Sequence, residues 1–155
     1  MDKDDFSLRI SSAQGSMYRI ARSYLRSEQD CLDAISEAIL KAWQKADTLR
    51  EPQYFSTWLT RILIRECINI QRKQKRMPQL EALAEQPAPP AEDETLRLAL
   101  DALPQKLRTI VVLHYMEGYQ VQEIARALGT TKGAVCGRLS RARDALRALL
   151  KEETV

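Results

Sequence analysis

The side chains best suited to binding a charged partner lie along one predicted helix. Trp58, Arg61, Arg65, Asn69, Arg72 and Arg76 are spaced 3, 4, 4, 3 and 4. At about 100° per residue they share an arc of about 80°. Guanidinium forks hold phosphates and an aromatic face takes an unstacked base, so the stripe suits a nucleic-acid strand. The neighbouring arc, Leu59, Ile62, Leu63, Cys67 and Ile70, suits a core. The same pattern would also serve as a solvated face with Trp58 packed inside, although Glu66 alone balances six basic residues between Arg61 and Arg76. An acidic stripe, Asp30, Asp33 and Glu37, precedes it. Helix-dipole complementation is reason enough for Asp30. Glu37 lies beyond a first turn and fits a partner with a basic surface.

The most specific pattern is QVQEIARALGTTKGAVCGRLSRARDAL, residues 120–146. Ile124 and Leu128 face inward, Ala125 admits a close helix crossing, Gly129 turns the chain, and Thr130 or Thr131 can cap a second helix. That second helix buries Val135, Leu139, Ala142, Leu146 and Leu149, spaced 4, 3, 4 and 3. These features predict a helix-turn-helix, with a plain helical hairpin as the alternative. The opposite face presents Lys132, Gly133, Cys136, Gly137, Ser140 and Arg141, flanked by Arg138 and Arg143. Small residues there let the helix deep into a major groove, and Arg and Lys reach phosphates or a guanine edge.

Little else is reactive. His114 is the single histidine and reads as packing or surface. Cys31, Cys67 and Cys136 are widely separated without a CxxC pair, so three reduced thiols are expected rather than disulfides or a zinc site. Cys136 would be open to oxidation, but an exposed small residue needs no such purpose. With no catalytic cluster, no enzyme, cofactor or small-molecule substrate is expected.

The elements that must position these residues are helical. Only five glycines occur, and no stretch sustains period-2 alternation. Leu32, Ile35, Ile39 and Trp43 mark the expected buried stripe of a helix from about Glu28 to Ala46. Met17, Ile20, Ala21, Tyr24 and Leu25 mark one before it. Leu49 to Ser56, with Pro52, interrupts the pattern, and Ser56 or Thr57 can cap a helix to about Lys75. Later helices are expected at Thr95–Ala102, Gln105–Glu117, Val121–Leu128 and Thr131–Leu150. Pro78, Pro87, Pro89 and Pro90 mark a flexible linker, with an amphipathic turn at Leu80 to Leu83. The expected fold is all-α: two small helical domains, 1–77 and 96–155, joined by linker 78–95, the C-terminal domain being a helix-turn-helix.

The charge count supports that division. Of 24 basic and 21 acidic residues, giving +3, the first domain holds 14 and 10, the linker none and five, and the second domain 10 and six. Two basic blocks flank an acidic spacer. The longest aliphatic run is four residues, Ile110 to Leu113, against about 20 for a membrane span. The acidic N-terminus lacks the basic start of a signal peptide, so a cytoplasmic protein is expected.

Both domains resemble the extracytoplasmic function (ECF) sigma factors, the compact bacterial initiation factors of the sigma-70 type. DCLDAISEAILKAW resembles their DAEDLVQETFLKAW segment, and FSTWLTRILIRECINIQRK their WL-led helix with its Arg-rich tail. The block beginning ALPQKLRTIVVLHYMEGYQVQEIARALG resembles their C-terminal helix-turn-helix. The resemblance implies that Asp30, Asp33, Glu37, Lys41 and Trp43 bind the clamp helices of core RNA polymerase. Arg50, Tyr54 and Phe55, with Trp58 and the arginine stripe, would open the minus-10 element and hold its single strand, one base being flipped into the Leu49 to Ser56 loop. Thr131, Lys132, Cys136, Gly137, Arg138, Ser140, Arg141 and Arg143 would read the minus-35 duplex. The acidic linker would thread basic channels of the polymerase. An anti-sigma factor, often membrane-anchored, would hold the chain at the inner face of the membrane.

The chain departs from the family pattern at several positions. Ser36 replaces Gln, Arg65 replaces Asn, Ala134 replaces Thr, and Cys136–Gly137 replaces Lys–Ser, so duplex readout leans on Lys132, Ser140 and Arg141. Two other functions suit the helices. One is a helix-turn-helix repressor whose first domain senses a ligand or dimerises, and the other is an adaptor that mimics a sigma factor.

Overall fold

The computed structural model describes residues 1–76 and 94–153. The chain divides into two compact units, Met1–Ala88 and Pro89–Val155. Among the described residues all regular structure is helical. The expected linker, apart from its last two residues, and the turn at Leu80 to Leu83 lie outside the described residues.

In the first unit, α1 (Lys3–Tyr24) starts well before the Met17 to Leu25 pattern that announces it. Asp2 caps it, its carboxylate accepting the Asp5 N–H at 2.8 Å, and Phe6 and Ile10 extend its buried face. Ser27 caps α2 (Glu28–Gln44) by accepting the Asp30 N–H at 3.2 Å. Two 3-10 turns, Ala46–Thr48 and Pro52–Tyr54, lead into α3 (Phe55–Arg76). That helix is already under way at Ser56 and Thr57, the expected caps, because the Pro52 turn delivers the chain in helical geometry.

The buried face of α2 differs from the expected one. Cys31, Ala34, Ala38 and Ala42 are fully enclosed, while Leu32, Leu40 and Trp43 are 46%, 51% and 44% exposed and Ile35 and Ile39 are half-buried. Both stripes have helical periodicity, so residue size was the only sequence criterion between them. Packing reverses it: small side chains let α2 lie close against α1 and α3. On α3 the expected apolar arc is realised, with Leu59, Ile62, Leu63 and Cys67 buried and Ile70 half-buried.

The second unit contains α4 (Glu94–Ala102), α5 (Gln105–Val111), α6 (Val121–Leu128) and α7 (Lys132–Glu153). A π turn at Val112–Met116 prolongs α5; the Glu117 N–H reaches the Val112 carbonyl at 2.9 Å. Leu103, Val111 and Ala142 form a core joined by Leu100, Leu107, Leu146 and Leu149. Ile110, Leu113, Ile124 and Val135 are fully enclosed.

Candidate nucleic-acid interface

The loop between α2 and α3 carries the first group of candidate residues. Pro52 fixes φ at the start of its turn, and the Tyr54 N–H closes it on the Glu51 carbonyl at 3.1 Å. Arg50 and Tyr54 project to solvent. Phe55 does not: it is 4% exposed, with ring centroids 6.1 Å from Phe6 and 5.8 Å from Trp58. Its expected place on a DNA-facing surface is corrected to a place in the core, because an aromatic at the first position of α3 closes the hydrophobic gap beneath the turn. Trp58 is half-buried, one side resting on Phe55.

Arg61, Arg65, Asn69, Arg72 and Arg76 are all exposed along α3. The carboxylate that the sequence sets among them is absent from that surface. Glu66 is buried, and its Oε1 accepts from Lys41 Nζ of α2 at 2.5 Å. That hydrogen bond raises the pKa of Lys41 above its ordinary value. The arginine stripe is therefore left without an acidic neighbour on its own helix and keeps its full positive field. The far end of α3 is held by Gln71, which donates to the Tyr24 carbonyl at 2.9 Å, and by Gln74, which donates to Asp30 at 2.5 Å.

The outer face of α2 brings Asp33 and Glu37 together with Leu32, Leu40 and Trp43 inside an arc of about 140°. Asp33 accepts from Gln29 at 2.8 Å. Asp30 is half-buried and engaged by Gln74, while Lys41 is engaged by Glu66, so these two sit in the helix packing as much as on the surface. Trp43 presents one side to solvent and lies 5.0 Å from Phe6 on the other. Leu32 and Leu40 were missed as surface residues. The signal available was the second stripe, Cys31, Ala34, Ala38 and Ala42, at the same period.

In the second unit the expected helix-turn-helix is present. Gly129 adopts a left-handed conformation (φ 67°) at the end of α6, and the Thr130 N–H returns to the Ala125 carbonyl at 2.9 Å. Glu123 accepts the Gln120 N–H at 3.0 Å and secures the start of α6. Thr131 caps α7, its hydroxyl oxygen accepting the Ala134 N–H at 3.1 Å. Thr131, Lys132, Gly133, Cys136, Ser140, Arg141 and Arg143 are exposed, and Gly137 and Arg138 partly so. Arg143 donates to the Tyr115 hydroxyl at 3.3 Å, tying α7 to the π turn. A methyl group at Gly137 would lie 3.6 Å from the Arg141 guanidinium, which drapes over it.

The remaining polar groups have structural settings. His114 is half-buried, its Nδ1 2.9 Å from the Tyr119 carbonyl. Cys31 and Cys67 are buried and Cys136 is exposed. Burial pushes the Cys31 thiol up to about 11 and the Cys67 thiol to about 12, Cys31 adding to the second shift. Among the described residues no group of His, Cys, Asp or Glu could hold a metal ion, and no helix is long and apolar enough to cross a membrane.

Residues 10–77 match the family model of sigma-70 region 2, and residues 93–146 that of sigma-70 region 4. The chain is 34% identical over 149 residues to the RNA polymerase sigma factor SigV of Bacillus subtilis, an alignment covering 93% of this chain and 90% of SigV. It is 33% identical over 139 residues to the ECF RNA polymerase sigma factor SigM of Mycobacterium tuberculosis, covering 86% of this chain and 71% of SigM. Among solved structures, the sigma factor RpoE of Bartonella quintana, in complex with the anti-sigma factor NepR, superposes with a TM-score of 0.82 at 25% identity, covering 95% of this chain and 97% of the other. CnrH, in complex with the cytosolic domain of CnrY, gives 0.72 at 27% identity, covering 97% and 90%. Both family blocks, in order and over the two units that carry the arginine stripe and the helix-turn-helix, show that the chain belongs to the ECF sigma factors of the sigma-70 family.

Proposed function

We propose that this sigma factor gives core RNA polymerase its promoter specificity by reading DNA in two chemically different ways. The acidic and apolar outer face of α2 docks on basic helices of the polymerase clamp, with Asp33 and Glu37 supplying charge and Leu32, Leu40 and Trp43 supplying apolar area. The α3 stripe, with Arg50 and Tyr54 of the preceding loop, holds the opened minus-10 strand. The first turns of α7 enter the major groove of the minus-35 duplex, where Lys132, Ser140 and Arg141 carry the readout.

The observation that carries this reading is the withdrawal of Glu66 into its pair with Lys41. It leaves an uncompensated row of arginines on α3, in a chain whose other unit holds a duplex-reading motif. Single strand and duplex need such different surfaces. The relatives solved with anti-sigma factors support a similar inhibitor for this chain; if membrane-anchored, that inhibitor would hold this cytoplasmic protein at the inner membrane face until a signal released it. The test is transcription by core polymerase with and without the chain on fragmented genomic DNA, with sequencing of RNA 5′ ends. Start sites sharing two spaced motifs are expected. Absence of any chain-dependent start site would reject the reading.

A further inference from the structure

The N-terminal half of α1 touches the loop that this reading assigns to the opened strand, and Arg9 is the α1 side chain that hydrogen-bonds its backbone. Arg9 bridges three groups. Its Nε donates to the Asp5 carboxylate at 3.2 and 3.3 Å, one helical turn earlier. Its Nη1 donates to the Pro52 carbonyl at 3.3 Å. Its guanidinium lies over the Phe55 ring, 5.6 Å from the centroid. The Pro52 carbonyl also accepts the Phe55 N–H, so Arg9 grips the acceptor of one of the two bonds that close the 3-10 turn. Phe6, on the same side of α1, packs on Phe55 and Trp43 and holds the helix against this corner.

We propose that Arg9 is a positioning residue: it sets the conformation of the Pro52–Tyr54 turn and so the aim of Arg50 and Tyr54 at the base drawn from the minus-10 strand. The proposal rests on the reading above that this loop receives that base. A turn of three residues, Pro52–Tyr54, is short, and Tyr54 within it and Arg50 just before it both project to solvent. The fixing comes from beneath. A planar guanidinium can hydrogen-bond a carboxylate and a carbonyl in its plane while its face lies on an aromatic ring; an ammonium has no such plane. Asp5 orients the fork, Phe55 supports its face, and the Pro52 carbonyl receives a donor from Nη1. Both Phe6 and Arg9 precede the residues that match the region 2 family model, which begin at residue 10, so the device is read from this chain's own contacts.

The experiment uses holoenzyme reconstituted from core polymerase and the full chain, wild type, Arg9→Ala or Arg9→Lys, on a promoter recovered by start-site sequencing. Each minus-10 position is varied through all four bases, and strand opening is read by permanganate reactivity of unpaired thymines. Core affinity and minus-35 duplex affinity are measured alongside. Arg9→Ala is expected to keep both affinities and to transcribe a premelted template, while its preference for the favoured base at one position falls about tenfold, as misaligned groups do. Lysine at this position is expected not to restore the preference. Wild-type base preference in Arg9→Ala would overturn the proposal, as would a uniform loss at all bases in step with loss of core binding. Should Arg9→Ala fail to fold, Arg9→Lys decides alone, and unchanged preference in that variant overturns the proposal. If wild-type holoenzyme itself shows no base preference at the minus-10 element, the functional reading of the loop fails, and this inference with it.

Discussion

Lys41 Nζ and Glu66 Oε1 meet across the α2–α3 packing, with the lysine side chain 38% exposed and the glutamate 9%. The pair joins the helix assigned to the polymerase with the helix assigned to the opened strand. Lys41→Met leaves a buried carboxylate without its cation and is expected to lower the melting temperature more than Glu66→Gln, with the double variant recovering part of the loss. Because the folded-state pKa of Lys41 is raised, the contribution is complete below the ordinary lysine pKa and disappears as pH rises through the raised one. Urea titrations of wild type and Lys41→Met are therefore expected to differ at pH 7 and to converge in strong alkali. A constant difference across that range would contradict the pairing.

Reversing charge on the outer face of α2 tests the docking surface. Asp33→Arg combined with Glu37→Arg is expected to abolish co-elution with core polymerase while minus-35 duplex binding by the free chain stays at its wild-type level. Both side chains are exposed, so circular dichroism is expected to be unaltered. Retention of polymerase binding would remove the clamp assignment.

The three thiols are expected to separate by reactivity. A thiol reagent at neutral pH labels Cys136 and spares Cys31 and Cys67, which burial holds protonated; in urea all three react. Unfolded thiols ionise near 9.0, while these two remain protonated to about 11 and about 12. The folded state then binds more protons, so stability falls as pH climbs above 9.0. Cys67→Ala is expected to flatten that alkaline slope, measured as the urea midpoint against pH.

Two glycines are expected to respond oppositely to alanine. Gly129 has a φ of 67° and open space around its α-carbon, so Gly129→Ala meets backbone strain alone, about 1–2 kcal/mol. Gly137 is in mid-helix, and Gly137→Ala is expected to stabilise by about 0.5–1 kcal/mol while weakening duplex binding, since its methyl group would stand on the face that the proposed reading puts in the groove. Chemical unfolding and gel shift read the two effects separately.

Arg141→Ala is expected to weaken minus-35 binding and to reduce its salt slope by about 0.9 if one phosphate contact is lost. An unaltered slope would place Arg141 on a base edge or off the DNA altogether.

The helices and the helix-turn-helix were legible in the sequence because their evidence is local. Gly129, Thr131 and the Val135 to Ala142 spacing each dictate geometry within a turn or two. The arginine stripe was legible for the same reason, since periodicity alone places it on one face. Two kinds of feature were hidden. The buried face of α2 depends on how closely another helix approaches, and the apparent stripe Leu32 to Trp43 competed at equal period with Cys31 to Ala42. The fates of Glu66, Phe55 and Arg9 depend on partners 25, 49 and 43 positions away, a separation at which no spacing rule operates. The π turn at Val112–Met116 reads in the sequence as uninterrupted helix, because its apolar run looks the same in either winding.

The alanine and cysteine side of α2 bears on how such a protein can diversify. Positions that hold the fold, Cys31, Ala34, Ala38 and Ala42, alternate along the same 17 residues with Leu32, Asp33, Glu37 and Leu40, which are exposed on the outer face. Substitution at the second set leaves the first untouched. If the outer set docks on polymerase as proposed, a gene duplicate can thus alter its affinity for polymerase, and its rank among competing initiation factors, in single steps that each preserve a folded product.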